Sequence, residues 1–111
     1  MDLYEGPMSL YYLLHCYIMP TAENLTYDDL DASLSSTAEE LTQDFRGEAR
    51  SFTLELEDFS SEDRIAAVIL KFTYYPYEDD EDELELIIKG VITKFESIGL
   101  EVEDIESIGA I

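Results

Sequence analysis

One histidine and one cysteine are present in this chain, and they are neighbours, His15 and Cys16. A nucleophilic cysteine needs a base beside it and a third group to orient that base. The segment around them predicts a β-strand, in which adjacent side chains point to opposite faces. A lone cysteine also excludes an intramolecular disulfide and a zinc site built from cysteines. We therefore expect no catalytic residues, no cofactor and no dedicated metal site.

Carboxylates are the residues with the strongest local pattern, and they form two clusters. Clustered carboxylates bind calcium when an EF-hand loop supplies alternating oxygen ligands, a central glycine and a final bidentate glutamate. Neither cluster has that spacing, so only weak, non-specific binding of divalent cations is expected. They are either solvated helix starts, favoured by the helix dipole, or a row of charges that imitates phosphates. The first acidic cluster is Asp28, Asp29 and Asp31, and the second is Glu78, Asp79, Asp80, Glu81, Asp82 and Glu83.

The net charge is extreme for a chain of 111 residues. Asp and Glu number 27 against 6 Lys and Arg, which gives a formal charge of -21. Ordinary solubility needs a net charge of only about 2 to 8 in magnitude. Such a surface repels nucleic acid and anionic membranes and attracts basic surfaces. We expect the partner to be a basic protein.

Tyrosine is the other residue in excess, with 8 copies. Its large, rigid ring with a polar tip is enriched at protein interfaces. Tyr75 and Tyr77 stand beside the second acidic cluster, and we expect them to join the same contact surface.

Hydrophobic periodicity predicts six elements. Residues 9–19 and 65–75 are apolar on both alternating sets, as in central strands, and residues 51–57 alternate as in an edge strand. Apolar residues at three- and four-residue steps predict helices from Thr26, an N-cap candidate, to a stop near Gly47, and from the second acidic cluster to a cap at Gly99. A short last strand is expected at residues 101–106 or 107–111.

This order of elements predicts an α+β fold of the ferredoxin-like, split βαβ (βαββαβ) type, an antiparallel sheet with two helices on one face. Residues 8–111 are expected to form one acidic domain, and residues 1–7 an N-terminal extension or a cloning remnant. The first and third strands are central in this fold. Since the helices cover one face, either Tyr11, Leu13, His15 and Tyr17 or the alternate set is left open. That patch predicts a homodimer or partner docking, unless a loop or the N-terminal segment covers it.

Three functions are compatible with these features. The leading hypothesis is an inhibitor that presents carboxylates where a DNA- or RNA-binding protein expects phosphates. In composition and size the chain resembles the DNA-mimic proteins that phages and mobile elements use against restriction, CRISPR or nucleoid proteins. This resemblance is one of charge and implies no residue correspondences. The alternatives are a dimeric ferredoxin-like module of a halophile, or an acidic partner or chaperone of a basic protein.

The compartment expected from the sequence is the cytoplasm, or the host cytoplasm if a phage encodes the chain. A single cysteine fits a reducing environment. The apolar segment 10–19 is too short to span a bilayer, and acidic residues precede it where a signal peptide needs positive charge.

Overall fold

A computed structural model describes residues 7–22, 24–45, 51–75 and 81–110 of the chain, with the side chain of Glu81 excepted. The predicted α+β class is confirmed, because a four-stranded antiparallel sheet packs with two helices. The elements are β1 (Met8–Ile18), α1 (Tyr27–Asp44), β2 (Thr53–Ser60), β3 (Ile65–Tyr74), α2 (Glu81–Ser97) and β4 (Leu100–Ala110), with a short 3-10 turn at Pro20–Ala22.

The strands lie in the order β2-β3-β1-β4, and every neighbouring pair is antiparallel. Leu14 in β1 lies opposite Val68 in β3 and Ile105 in β4. The two strands predicted to be central, β1 and β3, are the central ones. The alternating strand, β2, lies at one edge, as predicted, and β4 lies at the other.

One face of the sheet carries the core. The even-numbered side chains of β1 and β3, such as Leu14, Val68 and Phe72, are buried there against both helices. The Phe72 ring stacks on the Phe52 ring at 5.2 Å between centroids and on the Tyr12 ring at 6.0 Å. Burial of these apolar side chains, at about 1.5–3 kcal/mol each, is the main force that holds the helices to the sheet.

Helix α1 begins where the sequence predicts. The side chain of Thr26 accepts a hydrogen bond of 3.1 Å from the backbone N–H of Asp29, so Thr26 is the N-cap. The helix ends at Asp44, with Phe45 as its C-cap. This end comes earlier than the predicted stop at Gly47, which lies outside the described residues. Thr42 ties the helix to the sheet edge because its hydroxyl accepts a 3.2 Å bond from the N–H of Phe52.

Helix α2 begins inside the second acidic cluster, at Glu81. It ends at Ser97, and Gly99 has a φ of 93°, the left-handed conformation that a terminating glycine adopts. Its N–H donates to the carbonyl of Glu96 at 3.1 Å. The predicted cap at Gly99 is confirmed.

The prediction for the last strand is wrong in length. Residues 100–110 form one continuous strand instead of a short one on either side of residue 106. Two register irregularities in its pairing with β1, near Tyr11 and near His15, explain the error. Each β-bulge inserts an extra residue and shifts the alternation. Val102, Ile105 and Ile108 are therefore spaced by three, and a period of two cannot be recognised in them.

Candidate functional site: an open sheet face with acidic edges

The face of the sheet opposite the helices carries the odd-numbered side chains of β1. Leu13 lies opposite Ile69 of β3, His15 opposite Ala67, and Tyr17 opposite Ile65. Tyr17 is 48% exposed and Ile65 39% exposed. Of the two sets left open by the sequence, the open one is therefore Tyr11, Leu13, His15 and Tyr17. No helix within the described ranges covers this face, because both pack against the other side.

Both edge strands place acids beside this apolar strip, and each does so at a β-bulge. In β2 the register shifts between Leu56 and Asp58, so that Glu57 is the extra residue. In β4 it shifts where His15 pairs with Asp104 and Cys16 with Val102, so that Glu103 is the extra residue. A bulge sets two residues against one on the partner strand. Consecutive acids thereby flank the strip at both edges.

A pocket of about 420 Å³ lies in this face. Its lining combines apolar residues, including Leu13, Tyr17 and Ile65, with three acidic residues and His15. The three acids are Glu57, Asp58 and Glu103. An apolar pocket with a few convergent charged groups is the usual form of a binding site. This one suits a group that has both an aliphatic part and a positive charge.

Negative charge dominates the open face. Five acids of β2 and β4 pair with open-face residues of the central strands: Glu55, Asp58, Glu101, Asp104 and Glu106. The bulge residues Glu57 and Glu103 line the pocket of the same face. Against them stand two basic groups among the described residues of β1 and β3. The Lys71 ammonium lies 5.7 Å from the centroid of the Tyr11 ring, a cation–π distance. The Nε2 atom of His15 lies 3.4 Å from Oε1 of Glu106.

Cys16 borders the pocket, but its thiol belongs to the core and not to the open face. Its side chain is 4% exposed and lies in the core, whereas the side chain of His15 is 46% exposed on the opposite face. The two side chains point to opposite faces of the sheet, as predicted for adjacent residues of a strand. Burial raises the pKa of the Cys16 thiol to about 12. The thiolate, which is the nucleophilic form, is therefore scarce at neutral pH.

The predicted contact residues that the structure describes are divided between two ends of the molecule. The first acidic cluster is exposed in the opening turns of α1, Asp82 is exposed in the first turn of α2, and Tyr75 and Glu83 are half-buried. Glu81 begins α2. Tyr77, Glu78, Asp79 and Asp80 lie outside the described residues.

The register shows why the described parts of the two acidic clusters are far apart. Helix α1 follows the end of β1, where Tyr17 pairs with Ile65, whereas α2 follows the end of β3, where Tyr74 pairs with Met8. β1 spans 11 residues, so at a rise of about 3.3 Å per residue the two helix starts are separated by roughly 30 Å. The described parts of the two clusters therefore do not form one patch.

The acids of the sheet edges were missing from the predicted contact surface. A signal for them exists in the sequence, because two pairs of consecutive acids, Glu57–Asp58 and Glu103–Asp104, interrupt the alternation of polar and apolar residues in β2 and β4. Consecutive polar residues inside a strand indicate a bulge. The face to which the bulge side chains point, however, depends on pairing with residues that are distant in sequence.

Comparison of the chain with protein-family models and with curated proteins finds no match. In the part of the chain that the structure describes, no group of three or more His, Cys, Asp or Glu side chains is arranged to hold a metal ion. Neither α1 nor α2 combines the length and the apolar character that a bilayer-spanning helix requires.

Proposed function

We propose that this protein is a nucleic-acid-mimicking inhibitor that binds the basic groove of a DNA- or RNA-binding protein. The observation that carries the proposal is the exposure of carboxylates on both helices and on both edge strands. They occupy the opening turns of both helices and both edges of the sheet. The described ion pairs of lysines engage three of them, Glu40, Asp44 and Glu85.

Charge density supports the proposal. Duplex DNA carries one negative charge per about 1.7 Å of its axis, and proteins that bind it gain free energy by releasing counterions. A body with a net charge of -21 and extents of 54 × 24 × 22 Å is elongated and strongly anionic. It suits a groove built for a nucleic acid.

We take the scaffold to be the ferredoxin-like split βαβ fold. The element order βαββαβ, with β1 and β3 between β2 and β4, supports this assignment. We place the protein's action in the cytoplasm, or in the host cytoplasm if a phage encodes it. A buried, free Cys16 is compatible with a reducing compartment. The phage or mobile-element type of inhibitor, directed against CRISPR or restriction systems, is the form of the hypothesis we favour.

The test is displacement of labelled DNA from a panel of basic proteins: restriction nucleases, CRISPR effectors and nucleoid proteins. Fluorescence anisotropy is measured at low and at moderate salt. The expected result is that one or more of them loses DNA as this protein is added, with less displacement at the higher salt. DNA binding by the whole panel that is unaffected at either salt would contradict the proposal.

A matched pair of variants tests whether charge is responsible. Asp28→Asn, Asp29→Asn and Asp31→Asn together remove three charges from the first acidic cluster, whereas Asp→Glu at the same positions keeps them. At up to about 1 kcal/mol per exposed pair, we expect the amide variant to compete roughly tenfold less well. The glutamate variant should compete like the wild type.

One observation favours the halophile alternative. The described acids are spread over two helix starts and two sheet edges, as a salt-adapted surface would be. A halophile's protein loses its fold in dilute buffer, whereas an inhibitor of the proposed kind keeps it, so the two functions differ in the salt dependence of stability. Against the halophile, Glu outnumbers Asp by 16 to 11, and large apolar side chains are abundant. An acidic chaperone of a basic protein shares the physics of the inhibitor and differs in its target.

A further inference from the structure

The open sheet face combines an apolar strip with charged borders. Its centre is formed by odd-numbered residues of β1 and β3, among them Leu13, Tyr17 and Ile69. Its borders are the acids of β2 and β4. Apolar surface of this kind on a soluble protein marks an interaction site. The acids of the borders determine which charge the partner must carry.

Charge argues against a second copy of this chain as the occupant. In a face-to-face dimer the acidic borders of one copy would meet those of the other, and like charges opposed in an interface cost several kcal/mol. Lys71 is already placed over the Tyr11 ring, and His15 is the other described base of β1 and β3. The edge acids attract a cationic partner, whereas they would repel a second copy of this chain.

Dimensions argue for a helix. The edge strands β2 and β4 are three strand spacings apart, which is roughly 14 Å at about 4.8 Å per spacing. An α-helix with its side chains is about 10–12 Å in diameter. A helix therefore fits between the two borders, with its apolar side down and its flanks above the acids.

We propose that this open sheet face is the docking surface for a basic amphipathic α-helix of the partner protein. The inference rests on the proposed function in one respect, that the partner is a basic protein. The apolar side of the helix covers Leu13, Tyr17 and Ile69, and its lysines and arginines meet the edge acids. One basic side chain enters the pocket beside Glu57, Asp58 and Glu103, with its aliphatic stem on the apolar lining.

The probe is a synthetic amphipathic peptide with leucines on one side and lysines on the flanks. The peptide has about 20 residues, because a helix of that length spans about 30 Å, which is roughly the length of β1. A peptide of the same composition in scrambled order is the control ligand. We expect the amphipathic peptide to bind more tightly than the scrambled one in calorimetry, and to shift the backbone amide resonances of β1 and β3 rather than those of α1 and α2.

Three variants separate the contributions. Leu13→Ser removes apolar contact without changing the charge, and Leu13 lies outside the core, so the fold is kept. Glu57→Gln with Glu103→Gln removes two charges from the borders. Glu39→Gln with Glu96→Gln removes two exposed charges from the helix layer and is the matched control. We expect each of the first two to weaken peptide binding by about tenfold, and the control to have little effect.

Several outcomes would overturn the inference. One is equal weakening by the border and control variants together with no effect of Leu13→Ser, which would mean diffuse attraction of a polycation. Another is a wild-type dimer in sedimentation equilibrium that Leu13→Ser dissociates, which would make a second copy the occupant. Retained DNA displacement by Leu13→Ser and Glu57→Gln/Glu103→Gln would refute docking through this face while leaving the proposed function intact. Peptide docking at this face without displacement of DNA from any panel member would support the docking surface and refute the proposed function.

Discussion

At the scale of single residues, Gly99 decides how α2 turns into β4. Its φ is 93°, and a Cβ added there would lie 2.5 Å from the Cβ of Ala22. Gly99→Ala therefore suffers both an unfavourable backbone conformation and a steric clash. We expect it to lower the free energy of unfolding by about 1–3 kcal/mol, measured by urea denaturation.

Gly109 provides the matched control for this prediction. A Cβ added at Gly109 meets nothing within 4 Å. Gly109→Ala should therefore change stability by no more than about 0.5 kcal/mol. Equal effects of the two substitutions would show that the cap at Gly99 is not the stabilising feature.

The buried thiol of Cys16 gives stability a dependence on alkaline pH. Burial raises its pKa from 9.0 to about 12. Between these values the unfolded chain loses the proton while the folded chain keeps it, so unfolding becomes more favourable as pH rises. We expect the free energy of unfolding to fall between pH 9 and pH 12, and a thiol reagent to label Cys16 at neutral pH only after denaturant is added.

Cys16→Ala isolates the contribution of the thiol. Burial, with a smaller contribution from Tyr74, also raises the pKa of Tyr12, which acts in the same direction above pH 10.0. The variant should therefore keep part of the alkaline decline and lose the part that begins near pH 9. An unchanged curve in Cys16→Ala would assign the decline to other groups.

At the scale of elements, Lys94 links the two helices. Its ammonium lies 2.8 Å from Oε1 of Glu40 and 3.3 Å from Oδ2 of Asp44, both on α1. Hydrogen bonds to Glu40 first, and then to Asp44, raise the pKa of Lys94. We expect Lys94→Gln to lower the midpoint of thermal unfolding, and to do so less at high salt because salt screens the pairs.

Lys89 is the control for this pair because its substitution changes the net charge equally. The ammonium of Lys89 lies 3.7 Å from Oε1 of Glu85 within α2, and its side chain is 70% exposed. An exposed pair of this kind contributes little. Lys89→Gln should therefore shift the midpoint less than Lys94→Gln, and equal shifts would mean that net charge alone is responsible.

The start of α1 and the end of α2 could be predicted from the sequence, because local interactions determine them. Thr26 caps α1 through a residue three positions away, and Gly99 ends α2 through its own φ. A glycine inside a helix costs about 1 kcal/mol relative to alanine, but at Gly90 in α2 a Cβ would lie 2.7 Å from the Phe45 ring. The absence of a side chain at Gly90 leaves room for the ring of Phe45, the C-cap of α1. A contact between residues so distant in sequence cannot be recognised from local sequence.

At the scale of the whole molecule, composition predicted the amount of charge but not its arrangement. The sequence placed the contact surface at the two acidic clusters, and β1 separates the described parts of those clusters by its length. The edge acids were not predicted as contact residues, because the face to which their side chains point depends on bulges. The bulges in turn depend on strand pairing. The open face was predicted, and only the structure decided which alternating set it carries.

The salt dependence of unfolding distinguishes the inhibitor from the salt-adapted protein. Self-repulsion of the surface weakens with screening, since the Debye length falls from about 10 Å at 0.1 M to about 3 Å at 1 M salt. We expect a cooperative melt in dilute buffer and a midpoint that rises over this range and then levels. A chain unfolded in dilute buffer that folds only in several molar KCl would favour the halophile instead.

The irregular, acidic edges also bear on how the protein behaves when concentrated. A regular edge strand offers unpaired N–H and C=O groups to the edge of another molecule, which is the route to fibrils. β2 and β4 each contain a bulge and several exposed acids. Bulges and charges of this kind oppose pairing between edge strands. We therefore expect the concentrated protein to form no fibrils, although one face of its sheet is apolar.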